Sequence, residues 1–189
     1  MQESDVLKLF RHSGALLEGH FRLSSGLHSG GYLQCAIVLQ YPAHADALGR
    51  ALGENLQGLG ANAVLSPALG GLIIGHEVGR ALGVRAIFAE RQDNVLTLRR
   101  GFSLGPTDRV IVIEDVVTTG GSTRETMAVA RAAGATVVGA GAVIDRSGGN
   151  ATLGVPFSSL LTLSLPAYQP DDCPMCKAGR TLEKPGSRA

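Results

Sequence analysis

Residues Val110–Thr123, VIVIEDVVTTGGST, hold the densest chemistry in the chain. Apolar residues lead into two adjacent carboxylates, Glu114 and Asp115, then Val116 and Val117, then Thr118, Thr119, Gly120, Gly121, Ser122 and Thr123. The glycines let backbone N–H groups come close to a bound oxygen, and the hydroxyls add donors. A helix beginning near Ser122 would turn the positive end of its dipole toward the same point. These are the parts of a phosphate cradle. Two carboxylates beside it would repel an anion unless they face sugar hydroxyls or a divalent cation. A ligand that carries both ribose and phosphate removes the conflict. Ser122–Glu125 also reads as a capping box, a structural role that explains the hydroxyl but not the acids. The stretch is neither a Walker A loop nor a G-x-G-x-x-G dinucleotide turn.

Two other segments carry glycines where chemistry could sit. SPALGGLIIG places Ala68, Leu69, Gly70 and Gly71 between an apolar strand and a helix. AVIDRSGG ends a second apolar run on Asp145 and Arg146. An Arg guanidinium can meet a planar carboxylate with two parallel donors, although an Asp-Arg pair at a strand end also fits a surface ion pair.

The elements that must position these residues follow from periodicity. ESDVLKLFRHSG spaces Val6, Leu7, Leu9 and Phe10 as an amphipathic helix ended by Gly14. A short alternating stretch with Phe21 and Leu23 turns through Gly26 and Gly30-Gly31 and resumes as a strand from Tyr32. A helix starts at Pro42 and ends at Gly60. AVLS, RAIFAE, RVIVIED, TVVGAGAVID and SLLTLSL then read as strands, with helices at LIIGHEVGRALG and STRETMAVARAAG and an irregular or hairpin stretch before RVIVIED. Apolar strands without alternation, joined by helices, predict a mostly parallel α/β sheet covered on both faces. Ligands of such sheets sit beyond the strands' carboxyl ends, where Pro67–Gly71, Glu114–Thr123 and Asp145–Gly149 all fall.

Composition narrows the class. The 189 residues, 44% hydrophobic and with net charge +1, give no global field for nucleic acid or membrane, so a charged ligand needs local chemistry. No apolar run approaches the roughly 20 residues of a membrane span, and the N-terminal residues lack a leader's apolar stretch. Three cysteines make no disulfide framework, which leads us to expect a reducing cytoplasm. Cys173 and Cys176 form a C-x-x-C, half of a zinc knuckle without a second pair or a nearby His in sequence. A packed or surface turn is expected there, with a site shared across a dimer as the alternative. The five histidines are scattered, and His20 and His28 read as solvated or packed.

VIVIEDVVTTGGST resembles the phosphoribosyl-pyrophosphate motif of type I phosphoribosyltransferases. That resemblance implies a Rossmann-like core of about residues 41–149 and a small hood from about 1–40 and 150–189, in one domain spanning 1–189. It implies that Glu114 and Asp115 hold the ribose hydroxyls while Thr118–Thr123 wrap the 5′-phosphate. Ala68–Gly71 would bind pyrophosphate through backbone amides, often around a non-proline cis peptide. EGHFRLSSGLHSGGYL and AVIDRSGG resemble the orotate-specific members, which implies an orotate site of Ser25, Gly26, Tyr32, Thr118 and Arg146. Orotidine 5′-monophosphate would be the product, formed with Mg²⁺ held mainly by substrate and reached by Asp115 through water. The resemblance also implies a homodimer whose closing loop serves the partner's site.

Two departures stand out. Ser24 replaces a frequent Lys, and FAERQDNVLTLRRGFSLG lacks the usual loop Lys and His. Arg91, Arg99 and Arg100 are its only cations, and these, with Asp115, are the candidate catalytic residues. The arginines could form an electrostatic clamp or simply a charged hairpin rim. A purine-salvage phosphoribosyltransferase, and a non-catalytic RNA-binding regulator that keeps the phosphoribosyl-pyrophosphate site, are the competing functions; the near-neutral charge argues against the regulator.

Overall fold

The computed structural model describes residues 1–23 and 25–185. Its six-stranded sheet contains β3 (Ala63–Pro67), β4 (Arg85–Gln92), β5 (Val95–Leu98), β6 (Arg109–Val117), β7 (Thr136–Asp145) and β8 (Phe157–Thr162), in the order β5-β4-β3-β6-β7-β8. All neighbours are parallel except β4 and β5. The chain builds outward from β3 to β4 and β5, then crosses back to lay β6 on the other side of β3. The β3/β6 boundary is therefore the point where strand order reverses, which in an open sheet of this kind is where the ligand crevice lies, at the strands' carboxyl ends.

The unbroken apolar run of β6 has a simple cause. Side chains alternate between the two faces of a strand, and here both faces are covered. Ile111 and Ile113 pack with Val64, Ile74 and Val78 under α3 (Pro42–Leu56) and α4 (Gly71–Leu82). Val110 and Val112 pack with Leu65, Met127 and Ala130 under α5 (Gly121–Ala132). Helices α3 and α4 lie close because Gly49 has no side chain. A Cβ there would overlap the Cβ of Glu77 and stand 2.9 Å from its carbonyl carbon.

A second, antiparallel sheet of β1 (Leu16–Arg22), β2 (His28–Leu33) and β9 (Ala167–Tyr168), in the order β1-β2-β9, joins the two ends of the chain. The first helix, α1 (Glu3–His12), buries Val6 and Phe10, as its spacing predicts. Three expectations need correction. Gly30 and Gly31 do not form a turn; they lie inside β2, where a Cβ on Gly31 would come within 2.8 Å of Leu165. The residues after Leu33 do not extend the strand, since Cys35–Leu39 is a short helix, α2. The boundary of the C-terminal hood segment also moves, because β8 pairs with β7 in the main sheet and the hood's share begins after Thr162. The tail continues into a second short helix of that region, α6 (Pro174–Lys177). No helix among the described residues is long and apolar enough to cross a membrane.

Gly49→Val is expected to push α3 from α4 and lower stability by about 1–3 kcal/mol, read as a fall in Tm. Gly58→Ala, at a position with open space around it, should leave Tm close to wild type.

Candidate active site at the strand-order reversal

The alternation that buries β6 on both faces continues through its carboxyl end, so adjacent Glu114 and Asp115 diverge. Glu114, on the α5 side, is 6% exposed and lies beside Ser122 in the first turn of that helix. Burial pushes its pKa up to about 7; the Ser122 hydroxyl opposes the shift and the Asp115 charge adds to it. Asp115, on the α4 side, lies against Gly70, where a Cβ would come within 2.8 Å of its carboxylate. Its pKa is also raised by burial, against the Val116 N–H that donates to Oδ1 at 2.8 Å. The buried Cys35 thiol donates toward the Asp115 carbonyl at 3.8 Å, and burial with the two nearby acids pushes its pKa up.

The loop after β6 matches the cradle in shape. Gly120 adopts φ 75°, a conformation that glycine takes without cost, and a Cβ would meet Leu153 at 2.8 Å and Arg124 at 2.9 Å. Thr118 and Thr119 are exposed, and Thr123 is buried. The helix begins at Gly121 with Gly120 as its N-cap and no side-chain cap, so the Ser122–Glu125 capping box does not form. The Ser122 hydroxyl is left to face Glu114. Arg124, which carried no signal in the sequence, braces the loop by donating to the Thr119 carbonyl at 2.9 Å and the Thr152 carbonyl at 3.2 Å. Val116 and Val117 pair along β7, and the Val117 carbonyl accepts the Arg146 N–H at 2.7 Å. The valines therefore offer a ligand little beyond the shape of the strand end.

Across the crevice, the Ala68–Leu69 peptide is cis and Leu69 is 83% exposed. The Ala68 N–H donates to the Ala89 carbonyl at 2.7 Å, which fixes the start of the turn, and Gly70 and Gly71 lead into α4. Two helix N-termini, those of α4 and α5, thus flank the acid pair.

Arg146 follows β7 on the other side of β6. Asp145 is not its ion-pair partner: that carboxylate accepts the Ser147 N–H at 2.7 Å and the Gly149 N–H at 3.1 Å. The Arg146 Nε is buried with no hydrogen-bond partner among the described residues, and desolvation lowers its pKa. A guanidinium half-withdrawn from water with an unused donor is suited to an anionic ligand. Tyr32 lies near the end of β2, three residues before Cys35, and packs on Phe21 with ring centroids 6.0 Å apart. Ser25 and Gly26 lie at the hairpin tip, at the opposite end of β2 from Cys35, with Gly26 at φ 85°. Ser24 is outside the described residues.

The Arg91–Arg100 segment is not an open loop. A two-residue turn with Asp93 at φ 50° and Asn94 at φ 65° joins β4 to the antiparallel edge strand β5. Arg91 pairs with Glu125 on α5 at 2.6 Å and also donates to the Asn94 carbonyl at 2.6 Å. Arg100 and Arg99 both pair with Glu90, at 3.0 and 3.7 Å. The structure thus gathers Ala68–Gly71, Glu114–Thr123 and Arg146 at the crevice, while the three arginines are held on the hairpin by carboxylates.

No protein-family model matches the chain. It is 52% identical over 188 residues to an orotate phosphoribosyltransferase from Pelotomaculum thermopropionicum, covering 100% of this chain and 99% of the relative. It is also 52% identical over 190 residues to the Heliobacterium modesticaldum enzyme of the same name, covering 100% of both. Among solved structures, the crystal structure of orotate phosphoribosyltransferase from Aeropyrum pernix aligns with a TM-score of 0.69 at 28% identity, over 84% of this chain and 93% of that one.

The raised pKa of Glu114 has a signed consequence for the unliganded chain. Its folded form holds the proton more tightly than the unfolded form, so its contribution is full below about 4.5 and is lost as pH rises to about 7. Urea unfolding across that window should show Glu114→Gln gaining stability over wild type with rising pH, then levelling. A pH-independent difference would contradict the assignment.

Proposed function

The chain belongs to the orotate phosphoribosyltransferase family, and we propose that it joins orotate to C1′ of phosphoribosyl pyrophosphate, giving orotidine 5′-monophosphate and pyrophosphate. One observation carries the assignment of the site. At the strand-order reversal, Glu114 lies beside Ser122 of the phosphate-type loop and Asp115 lies against Gly70 of the cis-peptide turn. A single ligand with a phosphate at one end, a pyrophosphate at the other and ribose hydroxyls between them fits that order.

In this reading the Thr118–Thr123 loop binds the 5′-phosphate, through backbone N–H groups at the start of α5 and its hydroxyls. Glu114 and Asp115 accept hydrogen bonds from the ribose hydroxyls, and Ala68–Gly71 presents backbone amides to the pyrophosphate. Arg146 meets the orotate carboxylate, with Thr118 beside it and Ser25, Gly26 and Tyr32 as the opposite wall. The bond from orotate's ring nitrogen to C1′ forms as the C1′–pyrophosphate bond breaks. Positive charge grows on the ribose ring, and the nearby carboxylates are placed to stabilise it. Orotate attacks through its ring nitrogen as an anion, the ring N–H proton having passed to solvent, so no residue of the chain is assigned as its base. Holding base and ribose in line supplies much of the rate.

Two neighbouring buried carboxylates with raised pKa values suit a divalent cation nearby. Mg²⁺, bound mainly by pyrophosphate oxygens and reached from Asp115 through water, would neutralise the leaving group's charge. Arg99 and Arg100 could take part only by leaving Glu90, and Arg91 only by leaving Glu125. An arginine there can balance charge but does not give up a proton near neutrality. We also assign a cytoplasmic homodimer in which the β4–β5 hairpin, residues 91–100, reaches the partner's site. The position of β5 at the sheet edge, with Val95 61% exposed on it, supports the dimer, and sedimentation at monomer mass would contradict it.

Incubation with phosphoribosyl pyrophosphate, Mg²⁺ and orotate should consume orotate, seen as loss of its absorbance. Turnover of a purine in its place would overturn the proposal. Arg146→Ala is expected to raise KM for orotate ~10-fold or more, with a small effect on KM for phosphoribosyl pyrophosphate. Arg99→Ala and Arg100→Ala should lower kcat if either arginine balances charge; unchanged kcat in both would leave the pair as a structural rim.

A further inference from the structure

The hood brings together four side chains that the reaction does not use. His20 on β1, His28 on β2, Cys173 at the N-cap of α6 and Cys176 within it offer ligand atoms that all lie within 4.8 Å of one another. The second half of the knuckle is therefore present, supplied by two histidines about 150 residues away in sequence from the cysteines. No partner subunit is needed to complete the set.

Four of the six separations match a tetrahedral ion, and all six are within 4.8 Å. His20 Nε2 and His28 Nδ1 are 3.1 Å apart. Cys173 Sγ is 3.4 Å from His20 Nε2, and Cys176 Sγ is 3.7 Å from His20 Nε2 and 3.3 Å from His28 Nδ1. Zinc with Zn–N of about 2.0–2.1 Å and Zn–S of about 2.3 Å spaces its ligands about 3.3 Å (N to N) and about 3.6 Å (N to S) apart. The tautomer of His20 is also fixed for this role. Its Nδ1 lies 3.0 Å from the Arg180 carbonyl, which only accepts, so Nδ1–H donates and Nε2 turns its lone pair to the cluster.

Hydrogen bonds can join these atoms two by two, the Cys173 thiol with His20 Nε2 at 3.4 Å and Cys176 Sγ with His28 Nδ1 at 3.3 Å, but pairing does not require all four to converge on one point as they do. A cation satisfies all four ligands together. Cys173 is fully buried, and His20 and His28 are 3% and 5% exposed; only Cys176 reaches the surface. Four protein ligands leave no open position, which marks a structural site and not a catalytic one. Two thiolates with two imidazoles favour Zn²⁺ among the divalent ions, and exclude Mg²⁺, which takes oxygen ligands.

We propose that His20, His28, Cys173 and Cys176 bind one structural Zn²⁺ that clamps the N-terminal hairpin to the C-terminal tail. The tail runs beside β1, with the Glu183 N–H donating to the His20 carbonyl at 2.8 Å and the Arg22 N–H to the Glu183 carbonyl at 2.7 Å. The ion ties this strand pairing to α6 and so fixes the hairpin whose tip carries Ser25 and Gly26. The inference does not depend on the base or the reaction proposed above.

Untagged protein purified without chelator tests it directly. Elemental analysis is expected to find one zinc per chain, and Cys173→Ser/Cys176→Ser to lose it. Chelation under reducing conditions should lower Tm by roughly 5 °C or more, with zinc restoring it. Because the double variant could fail to fold, reduced, metal-free wild type is also titrated with Co²⁺. Strong visible d–d bands with a thiolate charge-transfer band report tetrahedral coordination by nitrogen and sulfur. A metal-free chain with Cys173 and Cys176 joined as a disulfide, or a reduced chain that gives no such cobalt spectrum, would overturn the proposal.

Discussion

The side-chain alternation of β6 is the constraint on which the site depends. A strand buried on both faces sends neighbouring residues to opposite sides, and this does not stop where apolar residues give way to acids. Glu114 goes to the start of α5 and Asp115 to the start of α4. Two carboxylates that share a sequence position thus acquire different neighbours, a hydroxyl in one case and a glycine backbone in the other. Placing both on one face would put like charges side by side and leave one helix terminus without an acid. Their burial is costly without a ligand, which is why both hold their protons more tightly than usual.

Everything else at the crevice serves to bring backbone close to that pair. The reversal of strand order at β3/β6 aims two helix N-termini at one point. Gly70 allows the α4 turn to touch Asp115, and Gly120 turns the loop tightly enough for Arg124 to hold the Thr119 carbonyl. Arg146 enters from β7 with its Nε unused, because Asp145 is occupied with the turn that follows. The hood then approaches from above through Cys35, whose thiol meets the Asp115 carbonyl. Its own cohesion comes from pairing between the ends of the chain.

Much of this was legible in the sequence, and the limits have physical causes. The central parallel strands β3, β6 and β7 announced themselves because burial on both faces leaves near-continuous apolar runs, and the glycine turns marked their carboxyl ends. The glycine pair at Gly30-Gly31 misled, since glycine serves close packing inside a strand as well as turns; here it makes room for Leu165. Ser122 misled similarly, because a capping box depends on the N-cap falling at the serine, and it falls at Gly120. The arginines at 91, 99 and 100 looked like loop cations; their carboxylate partners, Glu90 and Glu125, could be assigned only once the β4–β5 hairpin was placed. The His20, His28, Cys173 and Cys176 cluster was invisible to spacing, because tertiary pairing of the two ends of the chain creates it.

The central claim is that carboxylates and loop divide one ligand, the acids taking its sugar and the loop its phosphate. Calorimetric titration of wild type and the Glu114→Gln/Asp115→Asn variant with inorganic phosphate and with phosphoribosyl pyrophosphate tests that division directly. Removing the acids should leave phosphate binding unchanged or tighter, because negative charge is lost and none is added, while phosphoribosyl pyrophosphate binding weakens ~10-fold or more as its hydroxyls lose their acceptors. Equal weakening of both ligands, or of neither, would contradict it.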